Sequence, residues 1–402
     1  MKSKRIAVVS HVNPFSKGSG QVERVYNTLL ALAYEWEELT IYTLHENKSH
    51  PNKMEVLCSI NKRISIVYVK NKKPNWIVAF LFKFLPYLGY GKESNFSIPF
   101  LFDGIEKELA TQFDVVLFEY WHLYKLAKRL KNRGIFVICD THNILLNSFT
   151  EFIRKKKWLP KIYQSFLIKK YAHLEFEIAL KENFNLIIAI NKEEENILKI
   201  KFPNQKIYYF PMGIKFNPIA SWRNSKEIHN HYTIVYYGGL SSIRNSHAAL
   251  QVIQAVEKIQ EIEIHMIIVG SNAPSFLKDY IAKKKGITLL GFVENLEEAF
   301  EGVDLAVIPF EGKYGFRSRL IELMHYEIPI LTTEDAIWGM GFKDKVNVLV
   351  SSGTWEKDIK KALKDERLRM QIAKNAKNKI EEEFTFENTY LKFVSDLIQI
   401  VN

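Results

Sequence analysis

Only two cysteines occur in the chain, Cys58 and Cys139, far apart and in no metal-ligand spacing. This excludes a disulfide framework and a thiolate metal site, and the plain reading is a reduced, cytosolic protein. No apolar run reaches the roughly 20 residues that a membrane span needs. The most apolar stretch, NWIVAFLFKFLPYLGYG at 75–91, is interrupted by Lys83 and Pro86. The opening MKSKRIAVVS has the basic start of a signal peptide, but an apolar run of about five residues where roughly 7 to 15 are needed. Arg5 to Ser10 is therefore expected to be a first β-strand. Recognition-helix, zinc-finger and RNP-like patterns are missing too, which disfavours a nucleic-acid-binding protein. There is no Walker lysine, no G-x-G-x-x-G, and no DxD-type cluster to hold a catalytic metal.

What is present is a globular composition, 47% hydrophobic and 25% charged over 402 residues. Domains usually run to roughly 100–200 residues, so two are expected. The net charge of +11 is unevenly placed. Residues 1–215 hold 33 Lys/Arg against 20 Asp/Glu, whereas 216–402 hold 23 against 25. A basic front half fits an anionic membrane, an anionic substrate or nucleic acid, or else no more than a lysine-rich surface.

Short apolar runs alternate with helical patterns along the whole chain. RIAVVS (5–10), ELTIYTL (38–44), ISIVYV (64–69), DVVLFE (114–119), IFVICD (135–140) and NLIIAI (185–190) read as strands buried on both faces of a parallel sheet. After a polar stretch, SWRNSKEIHNHY, the series restarts with TIVYYGG (233–239), EIHMIIVGS (263–271), ITLLGF (287–292), DLAVIP (304–309) and IPILTT (328–333). Two such series predict an α/β protein of two doubly wound, Rossmann-like domains. The segments 75–91 and 152–180 are each either a core helix with a solvated lysine face or a surface for an anionic membrane.

In doubly wound sheets ligands bind beyond the carboxyl ends of the strands. The loop after the first strand, SHVNPFSKGSGQVERV, carries Gly18 and Gly20, which let the backbone approach a phosphate at a helix start, or else make a turn. CDTHNI ends a buried strand and places His142 where a β/α active-site residue projects, with Glu119 ending the neighbouring strand. In the second series, YYGGLSSIRNSHAAL offers Gly238, Gly239 and Arg244, and IIVGS places Gly270 at a strand end. IPFEGKYGFRSRLIELMHYEIPILTT supplies Gly315, Arg317, Arg319 and Glu322 at the start of a helix. The arginines and the helix amides suit a diphosphate, and Glu322 suits the vicinal hydroxyls of a ribose. An Arg–Glu pair on a solvated helix face is the rival reading.

Together these segments resemble the GT-B-type glycosyltransferases of the large family-4 group, over nearly the whole chain. PFSKGSGQVERVYNTLLAL resembles the group's glycine loop, DTHNI its His-bearing strand end, and FPMGI its interdomain junction. The most specific resemblance is GFVENLEEAFEGVDLAVIPFEGKYGFRSRLIELMHYEIPILTTEDAIWGM, followed by a C-terminal helix, EEEFTFENTYLKFVSDLI, that returns to the first domain. The resemblance implies two domains facing across a cleft, bounded at 1–213 with 385–402, and at 214–384. It implies Gly20 near the donor diphosphate, His142 at the sugar, Arg319 on phosphate and Glu322 on ribose. Three positions depart from the group: Gly239 stands for a loop arginine, leaving Arg244 as substitute. Tyr314 stands for the first glutamate of an E-x₇-E pair, and Arg319 for a lysine.

The expectation is therefore a retaining, metal-independent glycosyltransferase with no cofactor beyond its nucleoside diphosphate sugar. Its catalytic residues would be His142, Arg319 and Arg244, with Gly18, Gly20, Gly239, Gly270, Gly315, Arg317 and Glu322 binding the donor. The acceptor would be a glycan, or a lipid- or protein-linked hydroxyl, in cell-surface glycan or glycolipid synthesis. No nucleic-acid partner is expected. The location would be cytoplasmic, peripheral on the inner membrane face. A nucleotide-sugar epimerase of the same fold and a silent sugar-nucleotide-binding subunit are the alternatives.

Overall fold

A computed structural model describes residues 5–16, 19–44, 51–69, 75–91, 98–99, 102, 104–216 and 231–401. Gly18 and the polar stretch before residue 231 lie outside them. The chain divides into two compact units. The first comprises Met1–Met212, Tyr314–Phe316 and Thr389–Asn402; the second comprises Gly213–Lys313 and Arg317–Asn388.

The first unit is built on a seven-stranded sheet. Its strands are β1 (Arg5–Ser10), β2 (Glu38–Leu44), β3 (Ile64–Val69), β4 (Val115–Glu119), β5 (Phe136–Asp140), β6 (Leu186–Ala189) and β7 (Lys206–Tyr209). All pairings are parallel, in the order β3-β2-β1-β4-β5-β6-β7. The central strands are apolar on both faces because helices cover both: Val115, Val116, Leu117, Val137, Ile138 and Ile187 are all 0% exposed. The C-terminal helix Lys392–Val401 packs on this unit. Phe393 stacks on Phe210 at 4.2 Å, and Tyr208 donates to Asp396 at 2.6 Å.

The second unit has six parallel strands: β8 (Tyr232–Tyr237), β9 (Ile264–Val269), β10 (Ile287–Gly291), β11 (Leu305–Ile308), β12 (Ile330–Thr332) and β13 (Leu349–Val350). Their order is β10-β9-β8-β11-β12-β13. Both sheets start in the middle, wind out to one edge, then cross back and wind to the other. The order thus reverses between β1 and β4 in one unit and between β8 and β11 in the other, and at such a switch point two loops leave the sheet in opposite directions and open a crevice. Two doubly wound α/β domains are what the sequence led us to expect. The edge strands β7 and β13 are additions.

The reading of 75–91 as a core helix is overturned. The helix Trp76–Phe82 has no buried residue, and Trp76 is 79% exposed. Its seven residues thus form no packed stripe.

Candidate active site

In the first unit, β4 and β5 run side by side and end in register, Glu119 opposite Asp140. The chain then turns sharply. Tyr120 (φ 72°) and His142 (φ 54°) both adopt the left-handed backbone region that non-glycine residues rarely enter. Such strain persists only where the surroundings enforce it. Here the His142 N–H donates to Asp140 Oδ1 at 3.1 Å, and the Tyr120 N–H donates to the Asp140 carbonyl at 2.8 Å. These bonds turn the His142 ring onto Glu119, with Nε2 in a short hydrogen bond to Oε2. The Tyr120 ring stacks on His142 at 4.2 Å and 8°.

Asp140 is held from behind by Arg24, which projects from the helix Gly20–Glu35. Its Nε donates to Oδ2 at 2.7 Å and Nη2 to Oδ1 at 3.2 Å, while Nη2 also donates to the Phe210 carbonyl at 2.9 Å. All four charged or titratable groups are buried. Burial alone would raise the Asp140 carboxyl, but the Arg24 guanidinium outweighs it and holds Asp140 below its ordinary range. Burial raises Glu119, and the imidazole of His142 offsets this only in part. Asp140 is thus a fixed anion, and Glu119 Oε2 and His142 Nε2 form a hydrogen-bonded pair beside it.

Around this pair lie two more imidazoles. His11 follows β1, its ring 5.1 Å from Tyr120 and 5.5 Å from His122. Burial and the neighbouring His142 lower His11 to about 4, and burial keeps His122 neutral as well. Glu119 Oε1, Tyr120 Oη and His122 Nδ1 are buried without a hydrogen-bond partner among the described residues. Buried polar atoms are normally satisfied, so three orphans at strand ends beside a switch point make this place a candidate for ligand contact. Donor atoms of Glu119, Asp140 and His142 also lie within 4.8 Å of one another, a spacing a cation could bridge. Both Asp140 oxygens, however, already face Arg24, and Glu119 Oε2 faces His142.

In the second unit, the loops after β8 and β11 flank the switch point. Gly238 and Gly239 follow β8, and Phe310 to Arg317 lead from β11 into the helix Ser318–His325. That helix starts without a side-chain cap, and backbone N–H groups at such a start are suited to an anion. Arg319 lies in its first turn, with Nη1 3.4 Å from the Tyr237 carbonyl. A Cβ on Gly238 would sit 2.3 Å from that Nη1, so glycine is required for the guanidinium to lie there. Arg317 stacks its guanidinium 3.4 Å from the centre of the Phe310 ring, and Arg244 approaches the same ring at 5.9 Å. Glu322, one turn into the helix, accepts from the Tyr237 hydroxyl at 2.5 Å. Burial and the Glu322 carboxylate together raise the Tyr237 phenol far above its ordinary range, so it stays a donor.

The structure thus brings Arg244, Arg317, Arg319 and Glu322 to one switch point, and puts His142 at a strand end of the other unit. Gly20 opens its helix, exposed, with Ser19 capping it by accepting from the Val22 N–H at 3.4 Å. Gly239 is exposed, with nothing within 4 Å of where a Cβ would be. Gly270 is needed for packing, because a Cβ there would fall 2.0 Å from the Gly238 carbonyl oxygen. Gly315 (φ 68°) is engaged within the first unit, its N–H donating to Glu194 at 2.9 Å and its carbonyl accepting from Asn191 at 2.9 Å. The Gly315 N–H, expected to help open an anion site, is thus already occupied by Glu194.

Arg24, Tyr120, His122 and His11 did not emerge from the sequence as site residues. Arg24 left one signal: it lies on the same helix as Val22, Val25 and Leu29, wholly buried like them. A charge among such positions needs a buried partner.

Comparison with known proteins bears on the fold. Residues 231–365 match the family model described as Glycosyl transferases group 1. Sucrose-phosphate synthase from Thermosynechococcus elongatus superposes with a TM-score of 0.69 at 16% identity, covering 99% of each chain. Anabaena HepE, solved with UDP-glucose, gives 0.64 at 12% identity, covering 99% of this chain and 100% of that one. WaaG, a glycosyltransferase involved in lipopolysaccharide biosynthesis, gives 0.64 at 13%, covering 97% and 99%. No curated protein matches by sequence. The fold is that of the GT-B glycosyltransferases. The matched segment, about a third of the chain and carrying the second sheet, is similar to the group 1 glycosyl transferases.

Proposed function

We propose that the chain moves a hexose-type sugar from a nucleoside diphosphate sugar to a hydroxyl acceptor, with retention of configuration and without a catalytic metal. The observation that carries this reading is the gathering of Arg244, Arg317 and Arg319 at one switch point, beside a Glu322 that Tyr237 holds in place. HepE, whose fold is shared, has been solved with UDP-glucose.

On this reading the diphosphate lies on the amides that open the Ser318–His325 helix, with Arg319 and Arg244 drawing its charge. Glu322 accepts from the ribose. The bond from the anomeric carbon to the diphosphate oxygen breaks, and its electron pair leaves with the diphosphate. Preorganised guanidinium groups and amides lower the barrier because negative charge grows there as the bond stretches. The acceptor oxygen bonds the anomeric carbon on the face being vacated, which preserves configuration. Its proton passes to the departing oxygen, the base that this geometry leaves closest. His142, fixed by Glu119 and Asp140, holds a sugar hydroxyl or a phosphate oxygen. The acceptor is a hydroxyl of a glycan, or one linked to lipid or protein, in the building of a cell-surface glycan or glycolipid. Two free cysteines suit work in the cytoplasm.

A thermal-shift screen of UDP-, GDP-, ADP- and dTDP-sugars tests this, since a bound donor raises stability by mass action. Product analysis with and without a glycan acceptor follows, using the sugar nucleotide that shifts the melt. Sugar transfer or slow donor hydrolysis is expected. An epimerised nucleotide sugar formed without acceptor, or binding with no turnover, would replace this reading by an epimerase or a silent binding subunit.

A further inference from the structure

We propose that the first unit carries a docking surface for an anionic lipid bilayer, formed by the Trp76–Phe82 helix, the turn after it, and the chain from Trp158 into the helix Lys161–Ala172. The apolar side chains here face outward. Trp76 is 79% exposed, Trp158 69%, Ile162 88% and Phe166 56%, and Phe80 and Leu81 are exposed with them. Single exposed hydrophobic residues are ordinary, but a contiguous group this large marks an interaction surface.

Direct contacts tie the turn after the first helix to the second segment. The Tyr163 hydroxyl donates to the Tyr87 carbonyl at 2.7 Å, the Tyr87 ring lies 5.4 Å from Trp158, and Phe80 lies 5.3 Å from Phe84. Leu167 and Tyr171 bury the inner face of the Lys161–Ala172 helix, which fixes Ile162 and Phe166 on its outer side.

The charge around the patch selects the occupant. Between residues 151 and 172 there are seven basic residues against one acidic, Glu151, which pairs with Lys155 at 2.8 Å, and 75–91 adds Lys83 with no acidic residue. Six of the seven are lysines (155, 156, 157, 161, 169 and 170), the type that protein–protein interfaces avoid. Lysines fringing exposed tryptophans are instead the pattern of a headgroup interface, where indoles sit at the boundary and long basic stems reach anionic phosphates. Two stems already lie along aromatic rings: Lys156 Nζ is 4.7 Å from the Phe152 ring centre, and Lys170 Nζ is 4.6 Å from that of Tyr90. Among the described residues no helix is long and apolar enough to cross a membrane, so the contact is interfacial. Apolar insertion and basic attraction together supply the two signals that stable peripheral binding needs. The surface is independent of the donor reading, and either can fail alone.

Cosedimentation of the full chain with vesicles of phosphatidylcholine, and of phosphatidylcholine mixed equally with phosphatidylglycerol, tests the proposal. Wild type is expected on the mixed vesicles, weakening as salt rises, with a blue shift in tryptophan emission. Each lysine neutralised near the surface should weaken binding about fivefold. Lys155→Gln, Lys157→Gln and Lys161→Gln combined should thus cost about 100-fold. Trp158→Ser, Ile162→Ser and Phe166→Ser combined should abolish pelleting while circular dichroism and nucleotide binding stay as in wild type. Wild type left in the supernatant with mixed vesicles would overturn the proposal. So would both triple variants pelleting like wild type, or the patch driving self-association in ultracentrifugation without vesicle binding.

Discussion

Replacing Gly270 by alanine adds one methyl group at the point where the loops after β8 and β9 touch. The new Cβ would lie 2.0 Å from the Gly238 carbonyl oxygen and 3.0 Å from its carbon. Both are backbone atoms, so no side chain can swing aside. The loop itself must retreat by about 1 Å, against tight packing. Three backbone hydrogen bonds oppose this: Gly238 N–H to Val269 O at 3.0 Å, Leu240 N–H to Ser271 O at 3.0 Å, and Gly270 N–H to Gly291 O at 2.8 Å. Overpacking costs about 1–3 kcal/mol, and an immovable partner puts this site near 3. In a domain of this size each kcal/mol lowers the melting temperature by about 2–4 °C, so the second unit should melt roughly 6–12 °C lower. Gly239→Ala is the control, because nothing lies within 4 Å of its added methyl. Differential scanning calorimetry reads both. If Gly270→Ala melts like wild type, or Gly239→Ala falls as far, the close approach is not what requires glycine at 270.

Arg24→Met leaves the buried Asp140 carboxylate uncompensated and should destabilise the first unit by about 3–5 kcal/mol, read as a urea midpoint shift. His11 sits near 4 when folded against 6.5 when unfolded. The unfolded chain therefore binds more protons between those values, and this group's contribution to stability is lost as pH falls from 6.5 towards 4. His11→Asn should consequently gain about 2 kcal/mol relative to wild type between pH 7 and pH 5, in paired urea titrations. Buried Glu175, raised to about 7, acts with the opposite sign: its contribution is lost as pH rises from 4.5 through 7, so Glu175→Gln should steepen acid sensitivity. Tyr237→Phe removes the hydroxyl that holds Glu322, and should weaken nucleotide binding about three- to tenfold, corresponding to one hydrogen bond.

The central strands were legible because continuous apolar runs bounded by polar residues can only be buried on both faces. Strands β7 and β13, KIYY and LV, were not, since two to four residues at a sheet edge make no such run. The candidate site of the second unit was legible for a related reason. Arg317, Arg319 and Glu322 follow a strand within one loop and one helical turn, so sequence spacing already fixes their placing. In the first unit the partnership that matters joins Arg24 to Asp140, 116 residues apart, and only the sheet order brings them together. His142 and Glu119 were visible as strand ends, but the Glu119–His142 hydrogen bond and the stacking of Tyr120 depend on two left-handed turns that neither residue type announces. Composition also misled at 75–91, because an apolar run states what a segment avoids and not whether protein or something else covers it.

The central claim is a nucleoside diphosphate site at the switch point of the second sheet. Titration calorimetry with UDP, GDP, ADP and dTDP, on wild type, Arg319→Ala and Glu322→Ala, tests it most directly. Wild type is expected to bind at least one of the four, with Arg319→Ala weakening that binding about 10- to 100-fold, as loss of a charge-assisted contact implies. Glu322→Ala should weaken it as well, while leaving inorganic pyrophosphate binding intact. Nucleotide affinity equal to wild type in both variants would contradict the claim.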